Sequence, residues 1–143
     1  MKYNPEVWGP HYWFMLHTIT EIYPQHPTTV TKRKFYDFIQ NLPLFIPNPD
    51  IANNFSHMLD KYPVTPYLVS RDSFKKWMHF IHNKVNVLIG KEEISYDKAE
   101  ETYFHNYKPK QVLLSEKFHV KQHHIYLLFT LICLILIYVF YKE

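Results

Sequence analysis

The sequence predicts an all-α protein, a bundle of four or five helices followed by a transmembrane helix near the C-terminus. In the first 107 residues, apolar side chains recur at helical spacing within segments that begin or end near prolines. No segment alternates polar and apolar residues convincingly, as a half-buried strand does. Residues 125–141 are apolar on every side, unlike an amphipathic helix that packs on a domain surface.

The composition indicates one folded domain with a packed aromatic core or a large flat ligand. The chain has 143 residues, of which 47% are hydrophobic and 18% aromatic, and this balance argues against disorder. Its two glycines are too few for the glycine-rich phosphate loops of Rossmann and P-loop proteins.

The charge, histidine and cysteine patterns argue against a nucleic-acid-binding protein, a metalloprotein and a disulfide-stabilised protein. A net charge of +3, without a run of Lys or Arg, does not indicate binding to nucleic acid. None of the ten histidines stands with a carboxylate or cysteine at a known ligand spacing, so no metal site is expected. The one cysteine, Cys133, excludes a disulfide within these 143 residues.

Two helices are predicted in the first third of the chain. The first spans residues 10–23, because Pro10 suits a first helical turn and Pro24 follows its end. The second spans residues 31–42, with apolar residues at positions 35, 38, 39 and 42, and it stops at Pro43.

The third helix is predicted to begin at Asn48. Asparagine is a favourable N-cap, Pro49 suits the first helical position, and Asp50 complements the positive end of the helix dipole. Apolar residues at helical spacing from Ile51 to Tyr62 give this helix one face for burial.

The fourth helix, at residues 74–91, is the element around which we expect the bundle to be organised. Ser70 or Asp72 can cap its start, and Gly90 lies where helices commonly end. Its apolar side chains recur at helical spacing and form one stripe. The stripe consists of Phe74, Trp77, Met78, Ile81, Val85 and Leu88.

A polar cluster on the fourth helix has two interpretations. It consists of His82, Asn83 and Asn86, followed by Lys91. His82 and Asn86 are four residues apart and therefore share a face. Such side chains often only face water, but beside a tryptophan-containing stripe they also suit a flat heterocycle with polar edges. The helix alone leaves both interpretations open.

The remaining segments predict a fifth helix, a tether and a membrane span. Ser95 can cap a helix from residue 96 to about residue 107, and residues 108–124 are polar and irregular. Residues 125–141 reach the lower length limit of a transmembrane helix, with tyrosines near both ends. Since the N-terminus has no apolar signal-peptide core, we expect a tail anchor with the domain at residues 1–107 in the cytosol.

Four motifs follow one another along the predicted helices. They are Trp8-Gly9-Pro10 with Trp13 and His17, then Tyr23-Pro24, then Ile46-Pro47, and last Trp77 with His82-Asn83, Asn86 and Gly90-Lys91. In this order they resemble the Erv/ALR family of flavin-linked sulfhydryl oxidases, over roughly residues 6–104. The resemblance implies a helical bundle, usually a homodimer, that holds FAD noncovalently with the flavin ring in the mouth of the bundle.

The resemblance also implies which residues contact FAD. The first contact segment corresponds to Trp8, Gly9, Trp13 and His17. The segment that holds the adenosine and pyrophosphate corresponds to His82, Asn83, Asn86 and Lys91. Tyr23 matches an aromatic residue beside the ring, and Tyr103 stands where relatives usually have tryptophan.

The chain departs from the family pattern at the redox-active Cys-x-x-Cys that relatives carry at the start of the third helix. Those positions are Asn48 and Ile51, and neither side chain can form a disulfide or a thiolate. Cys133 lies in the middle of the expected membrane span, where a thiol stays protonated. No catalytic residue is therefore expected, and whether the chain is an enzyme stays open.

Three hypotheses follow. The first is a membrane-anchored, FAD-binding pseudoenzyme that serves disulfide formation as a scaffold, a homodimer, or the partner of an active thiol oxidase. The second is an FAD-linked thiol oxidase that takes its thiols from a partner and converts a dithiol and O2 to a disulfide and H2O2. The third is a structural membrane protein without a cofactor. Resemblance to membrane-anchored copies in large DNA viruses suggests a viral origin and a viral or host internal membrane.

Overall fold

The computed structural model describes residues 3–108 and 114–142, and all regular structure in these two ranges is helical. The helices are α1 Pro5–Glu21, α2 Thr29–Asn41, α3 Pro49–Lys61, α4 Arg71–Leu88, α5 Tyr96–His105 and α6 Leu114–Lys142. Short 3-10 turns lie at Leu42–Phe45 and Thr65–Tyr67. The chain divides into two units, Met1–Tyr107 and Lys108–Glu143. The prediction of an all-α fold is confirmed.

Helix α1 begins at Pro5, earlier than the predicted start at Pro10. The Asn4 side chain accepts a hydrogen bond from the Glu6 backbone N–H, and Pro5 stands in the first turn. Pro10 therefore lies inside the helix, where it cannot donate a hydrogen bond to the Glu6 carbonyl. The predicted start was wrong because Asn4 and Pro5 already supply a complete N-terminal signal.

Side-chain caps begin the next four helices, as their sequences favour. Each cap accepts a hydrogen bond from a backbone N–H of the first turn, and the caps are Thr28, Asn48, Ser70 and Ser95. Beyond the end of α4, Gly90 has a φ of +77°, a conformation that favours glycine. The Lys91 N–H then donates to the Asn86 carbonyl at 2.8 Å, which closes the helix end.

Helix α4 supplies the largest share of the core of the first unit. Its side chains Phe74, Trp77, Met78, Ile81 and Val85 are buried, whereas Leu88 is 44% exposed. They pack with buried residues that include Leu16 of α1, Ile39 of α2 and Phe55 of α3. The Trp77 indole N–H donates to the Tyr62 carbonyl at 3.0 Å, so α4 is also tied to the end of α3.

The second unit contains α6. Its segment Gln122–Lys142 is 21 residues long, reaches a mean hydropathy of 2.3 over an 18-residue window, and is long and apolar enough to cross a membrane. Because α6 begins at Leu114, the prediction of irregular backbone at residues 108–124 is wrong for residues 114–124. That stretch contains no Gly or Pro, so extending the helix through it costs less than starting a new one. Residues 109–113 of the predicted tether lie outside the described residues.

Candidate functional site

A small apolar cleft is formed by α1, α3, the end of α4 and the turn after α2, and it holds about 50 Å³. From α1 it is lined by Trp8, Gly9, Tyr12 and Trp13, among others. A Cβ atom added at Gly9 would meet no atom within 4 Å. Three of the ligand contacts predicted from sequence thus line one cleft, next to open space at the glycine.

Helices α1 and α4 also bring one indole and two imidazoles together. The rings of Trp13 and His82 stack with their centroids 3.9 Å apart and their planes at 10°. His82 Nδ1 lies 3.0 Å from His17 Nε2, a hydrogen bond in which one ring donates and the other accepts. The two contact segments predicted from sequence therefore meet at these three side chains.

Both imidazoles are held in the neutral form. Burial, together with the neighbouring His79 and Lys75, lowers the pKa of His17 to about 4. Burial likewise lowers the pKa of His82 to about 3, with contributions from His17, His79 and Lys91. Near pH 7 this pair can donate and accept hydrogen bonds without adding positive charge.

Asn83 and Asn86 hold the segment that follows α4. Asn83 Nδ2 donates to the Ile94 carbonyl at 2.9 Å, and the Ile94 N–H donates to Asn83 Oδ1 at 3.0 Å. Asn86 is 6% exposed, and its Nδ2 points to Asn83 Oδ1 at 3.5 Å. Lys91 is exposed near the start of this segment. Ligand contacts from these three residues stay a prediction.

Tyr23 and Tyr103 do not line the cleft. Tyr23 is 0% exposed, its ring packs edge-on against Phe35 and Phe74, and its hydroxyl donates to the Leu68 carbonyl at 2.9 Å. The Tyr23 ring is therefore an integral part of the core, and its contact with a ligand stays a prediction.

Tyr103 lies beside the imidazole pair. Its hydroxyl is 2.9 Å from Thr18 Oγ1, and its ring centroid is 6.4 Å from that of His17. Tyr103 therefore connects α5 to the histidine side of α1, and its contact with a ligand stays a prediction.

Asn48 and Ile51, which the resemblance aligns with a Cys-x-x-Cys, have separate structural roles. Asn48 Oδ1 accepts hydrogen bonds from the N–H groups of Asp50 at 3.0 Å and Ile51 at 3.1 Å, which caps α3. The Ile51 side chain lines the apolar cleft with Trp8 and Trp13. Within residues 3–108, no residue that lines this cleft carries a sulfur atom.

Sequence reasoning missed two features near the site. Tyr12 lines the cleft and donates to the Phe45 carbonyl at 2.9 Å; its four-residue spacing from Trp8 could have indicated this shared face. Lys75 Nζ lies 2.6 Å from carboxylate oxygens of both Glu21 and Glu100, which joins α1, α4 and α5. No local spacing could have indicated this cluster, because its members are far apart along the chain.

The fold places this chain in a known class of helical bundle. It matches the crystal structure of the FAD binding domain of Erv1 from Saccharomyces cerevisiae with a TM-score of 0.64 and 26% identity, covering 71% of this chain and 94% of that one. The family model of the Erv1/Alr family matches residues 10–105. The chain belongs to the Erv1/Alr family, and the resemblance found in its motifs is confirmed.

Several relatives are viral proteins. The chain is 34% identical over 109 residues to the probable FAD-linked sulfhydryl oxidase of Acanthamoeba polyphaga mimivirus, covering 76% of each protein. It is 28% identical over 96 residues to the FAD-linked sulfhydryl oxidase of African swine fever virus, covering 67% of this chain and 79% of that protein.

Proposed function

We propose that this chain is a membrane-anchored, FAD-binding member of the Erv1/Alr family that has no redox dithiol of its own. It serves a disulfide-forming pathway as the partner of an active oxidase or as a scaffold. The pair Asn48 and Ile51 carries this proposal, because one residue caps α3 and the other lines the cleft where relatives carry thiols. A disulfide needs two sulfurs, and Cys133 is the chain's one cysteine.

The residues around the cleft suit a flavin dinucleotide. Trp8 and Trp13 offer indole surfaces to a flat ring, and Gly9 leaves room for close approach. Lys91 offers a positive charge to a pyrophosphate. Because the cleft holds only about 50 Å³, we expect the half-buried side chains of Trp8 and Tyr12 to move when a ring enters. Bound FAD supplies a two-electron acceptor, and this chain's residues bind and orient it.

The cleft supplies no group of its own that could pass electrons to the ring. Ile51 is saturated and cannot pass electrons, and the lining contains mostly apolar side chains. We therefore expect the chain alone to oxidise dithiols no faster than free FAD does.

Flavin loading is the decisive experiment. The full chain is produced with excess riboflavin, purified in detergent, and denatured to release and quantify FAD. We expect a stoichiometric amount of FAD, and a strong reduction in the Trp8→Ala variant. The matched control is Tyr36→Ala, an exposed aromatic on α2 that does not line the cleft. Colourless protein after loading would overturn FAD binding and favour a structural membrane protein.

Oxygen uptake with dithiothreitol separates a binding role from catalysis. We expect no uptake above free FAD from the loaded chain, whereas uptake with turnover would favour the thiol-oxidase alternative. Recovery of a cysteine-bearing family member with the full chain would support the partner role.

Helix α6 supports the membrane anchor. We expect the full chain to remain with membranes after carbonate extraction, and the Ile132→Lys/Leu136→Lys variant to be released, since charge in mid-span opposes insertion. Recovery of the unchanged chain in the soluble fraction would contradict the anchor.

A further inference from the structure

A second groove on the first unit shares no residue with the apolar cleft and holds about 430 Å³. We call it the α3–α4 groove, because the end of α3, the following proline-containing turn and the middle of α4 form it. The residues on which the argument depends are Lys61, Tyr62, Tyr67, Lys76, Trp77 and Phe80. No acidic side chain of residues 3–108 is among its lining.

The walls of the α3–α4 groove are aromatic and fixed. The rings of Tyr62 and Phe80 meet edge to face with centroids 4.9 Å apart. The Trp77 indole N–H donates to the Tyr62 carbonyl at 3.0 Å, so this wall is tied to the core. Tyr67 is 42% exposed and Phe80 is 37% exposed. A preformed aromatic surface that faces solvent favours an apolar occupant.

The rim of the groove carries the ammonium groups of Lys61 and Lys76. Lys75 and Lys84 are paired with glutamates, but no ion pair within residues 3–108 involves Lys61 or Lys76. Lys61 Nζ lies 5.4 Å from the centroid of the Tyr62 ring, at the edge of the aromatic wall. The groove therefore joins an apolar floor to two cations.

The hydroxyl groups of Tyr62 and Tyr67 are further hydrogen-bond donors in the groove, besides the two lysine ammonium groups. Within residues 3–108, neither hydroxyl makes a hydrogen bond to another protein group, whereas the buried Tyr23 hydroxyl does. Two ammonium groups and two phenol hydroxyls can thus donate to one occupant. Since all four can donate, the occupant must carry acceptors, and charge complementarity favours anionic ones.

We propose that the α3–α4 groove binds an acidic peptide segment of a partner protein, in which an apolar side chain lies between carboxylates. The aromatic walls receive the apolar side chain, and Lys61 and Lys76 receive the flanking carboxylates. The inference rests on the partner role in the proposed function and does not depend on FAD.

The test uses the FAD-loaded full chain in detergent and a set of short capped peptides, Glu-Asp-X-Glu-Asp, with X as Phe, Trp, Leu or Gly. Binding is followed by calorimetry and by the resonance of the Trp77 indole N–H. We expect saturable binding that weakens with added salt, is strongest for aromatic X, and is weak for X as Gly. The Lys61→Glu/Lys76→Glu variant is expected to bind about tenfold more weakly.

The matched control is Lys32→Glu/Lys34→Glu, which makes the same charge change on α2, away from the groove. It should bind the peptides as the parent chain does. Equal weakening in both variants, or no binding by any peptide, would overturn the inference. So would displacement of the peptides by inorganic phosphate, or Trp77 shifts that follow phosphatidylserine vesicles instead. FAD content is measured in the same samples, so a parent chain that retains FAD and binds no peptide contradicts this inference alone.

Discussion

His17 and His82 are joined by a 3.0 Å hydrogen bond between Nε2 of the first ring and Nδ1 of the second, with Trp13 stacked on His82. This bond ties α1 to α4 beside the apolar cleft. Because burial lowers the pKa of both rings, to about 4 and about 3, the fold strongly favours the neutral pair. The pair therefore makes stability, as well as site chemistry, sensitive to pH.

The first prediction concerns acid stability. In the unfolded chain both histidines bind protons near pH 6.5, whereas the folded chain binds them near pH 4 and pH 3. Below pH 6.5 the unfolded state therefore holds more protons, and the free energy of unfolding falls as the pH decreases. We expect a loss of roughly 1–2 kcal/mol per pH unit between about pH 6 and pH 5, measured by urea denaturation.

This pH window separates the histidines from the carboxylates, which titrate mainly at lower pH. The His17→Gln/His82→Gln variant should show a shallower slope, and His57→Gln, at an exposed position on α3, should leave the slope unchanged. An unchanged slope in the double variant would show that the imidazole pair does not cause the pH dependence.

The second prediction concerns the attachment of α5. The hydrogen bond from Lys75 lowers the pKa of Glu100, so this carboxylate stabilises the fold above its unfolded pKa and loses the effect as the pH falls. Glu100→Gln should reduce the free energy of unfolding by about 0.5–1 kcal/mol and speed amide exchange in α5. Glu101→Gln, at the exposed neighbouring position, is the control. Equal exchange in both variants would contradict a role for this ion pair.

Local chemistry made much of the fold predictable. Asn48 and Ser95 were predicted as caps and act as caps, and Gly90 was predicted at the end of α4 and lies just beyond it. These features depend on a few neighbouring residues, so sequence spacing is enough to find them.

Side-chain contacts that depend on tertiary packing could not be predicted from the sequence. Tyr23 matched an aromatic residue beside the flavin ring in the family, and the structure adds that its ring packs edge-on against Phe35 and Phe74, which sequence spacing did not indicate. The structure also shows two hydrogen bonds between the Asn83 amide and Ile94, eleven residues away, which the sequence did not indicate. A tyrosine or asparagine side chain can contact either a ligand or another protein group. The sequence alone does not show which protein groups lie within reach, because they can be distant along the chain.

The third prediction concerns the helix cap that replaced a thiol. Asn48→Ala should lower the free energy of unfolding by about 1 kcal/mol, because two N–H groups at the start of α3 lose their acceptor. Asn53→Ala is the matched control, since this exposed asparagine lies within α3 and caps nothing. Thermal denaturation of both variants measures the difference, and equal stability would show that the cap contributes nothing.

The fourth prediction separates ligand binding from stability at one residue. A Cβ at Gly9 meets no protein atom within 4 Å, and alanine is the better helix former, so Gly9→Ala should stabilise the flavin-free chain by about 0.5–1 kcal/mol. The same methyl group occupies the open space in which we propose that FAD lies. Flavin content should therefore fall while stability rises. A variant that gains stability and retains full flavin content would place the ligand elsewhere.

The fifth prediction restores the missing dithiol through Asn48→Cys/Ile51→Cys. The lost cap and the lost apolar volume should each cost about 1 kcal/mol, which a domain of ordinary stability tolerates. The thiol at position 48 would stand at the N-terminus of α3, where the helix dipole lowers a thiol pKa. With FAD bound and oxygen excluded, oxidation of this dithiol to a disulfide should pass two electrons and two protons to the flavin and bleach its absorbance.

Each single cysteine variant controls for this result, because one thiol cannot close the disulfide and should leave the flavin oxidised. If the double variant binds FAD and its flavin still does not bleach, the chain has lost more than two sulfur atoms. Ile51 lines the cleft, whereas the Asn48 side chain caps the first turn of α3. Such a failure would therefore indicate that a thiol at position 48 cannot pass electrons to the flavin ring. Bleaching would show that FAD bound beside Trp8 and Trp13 can still accept electrons from thiols at positions 48 and 51.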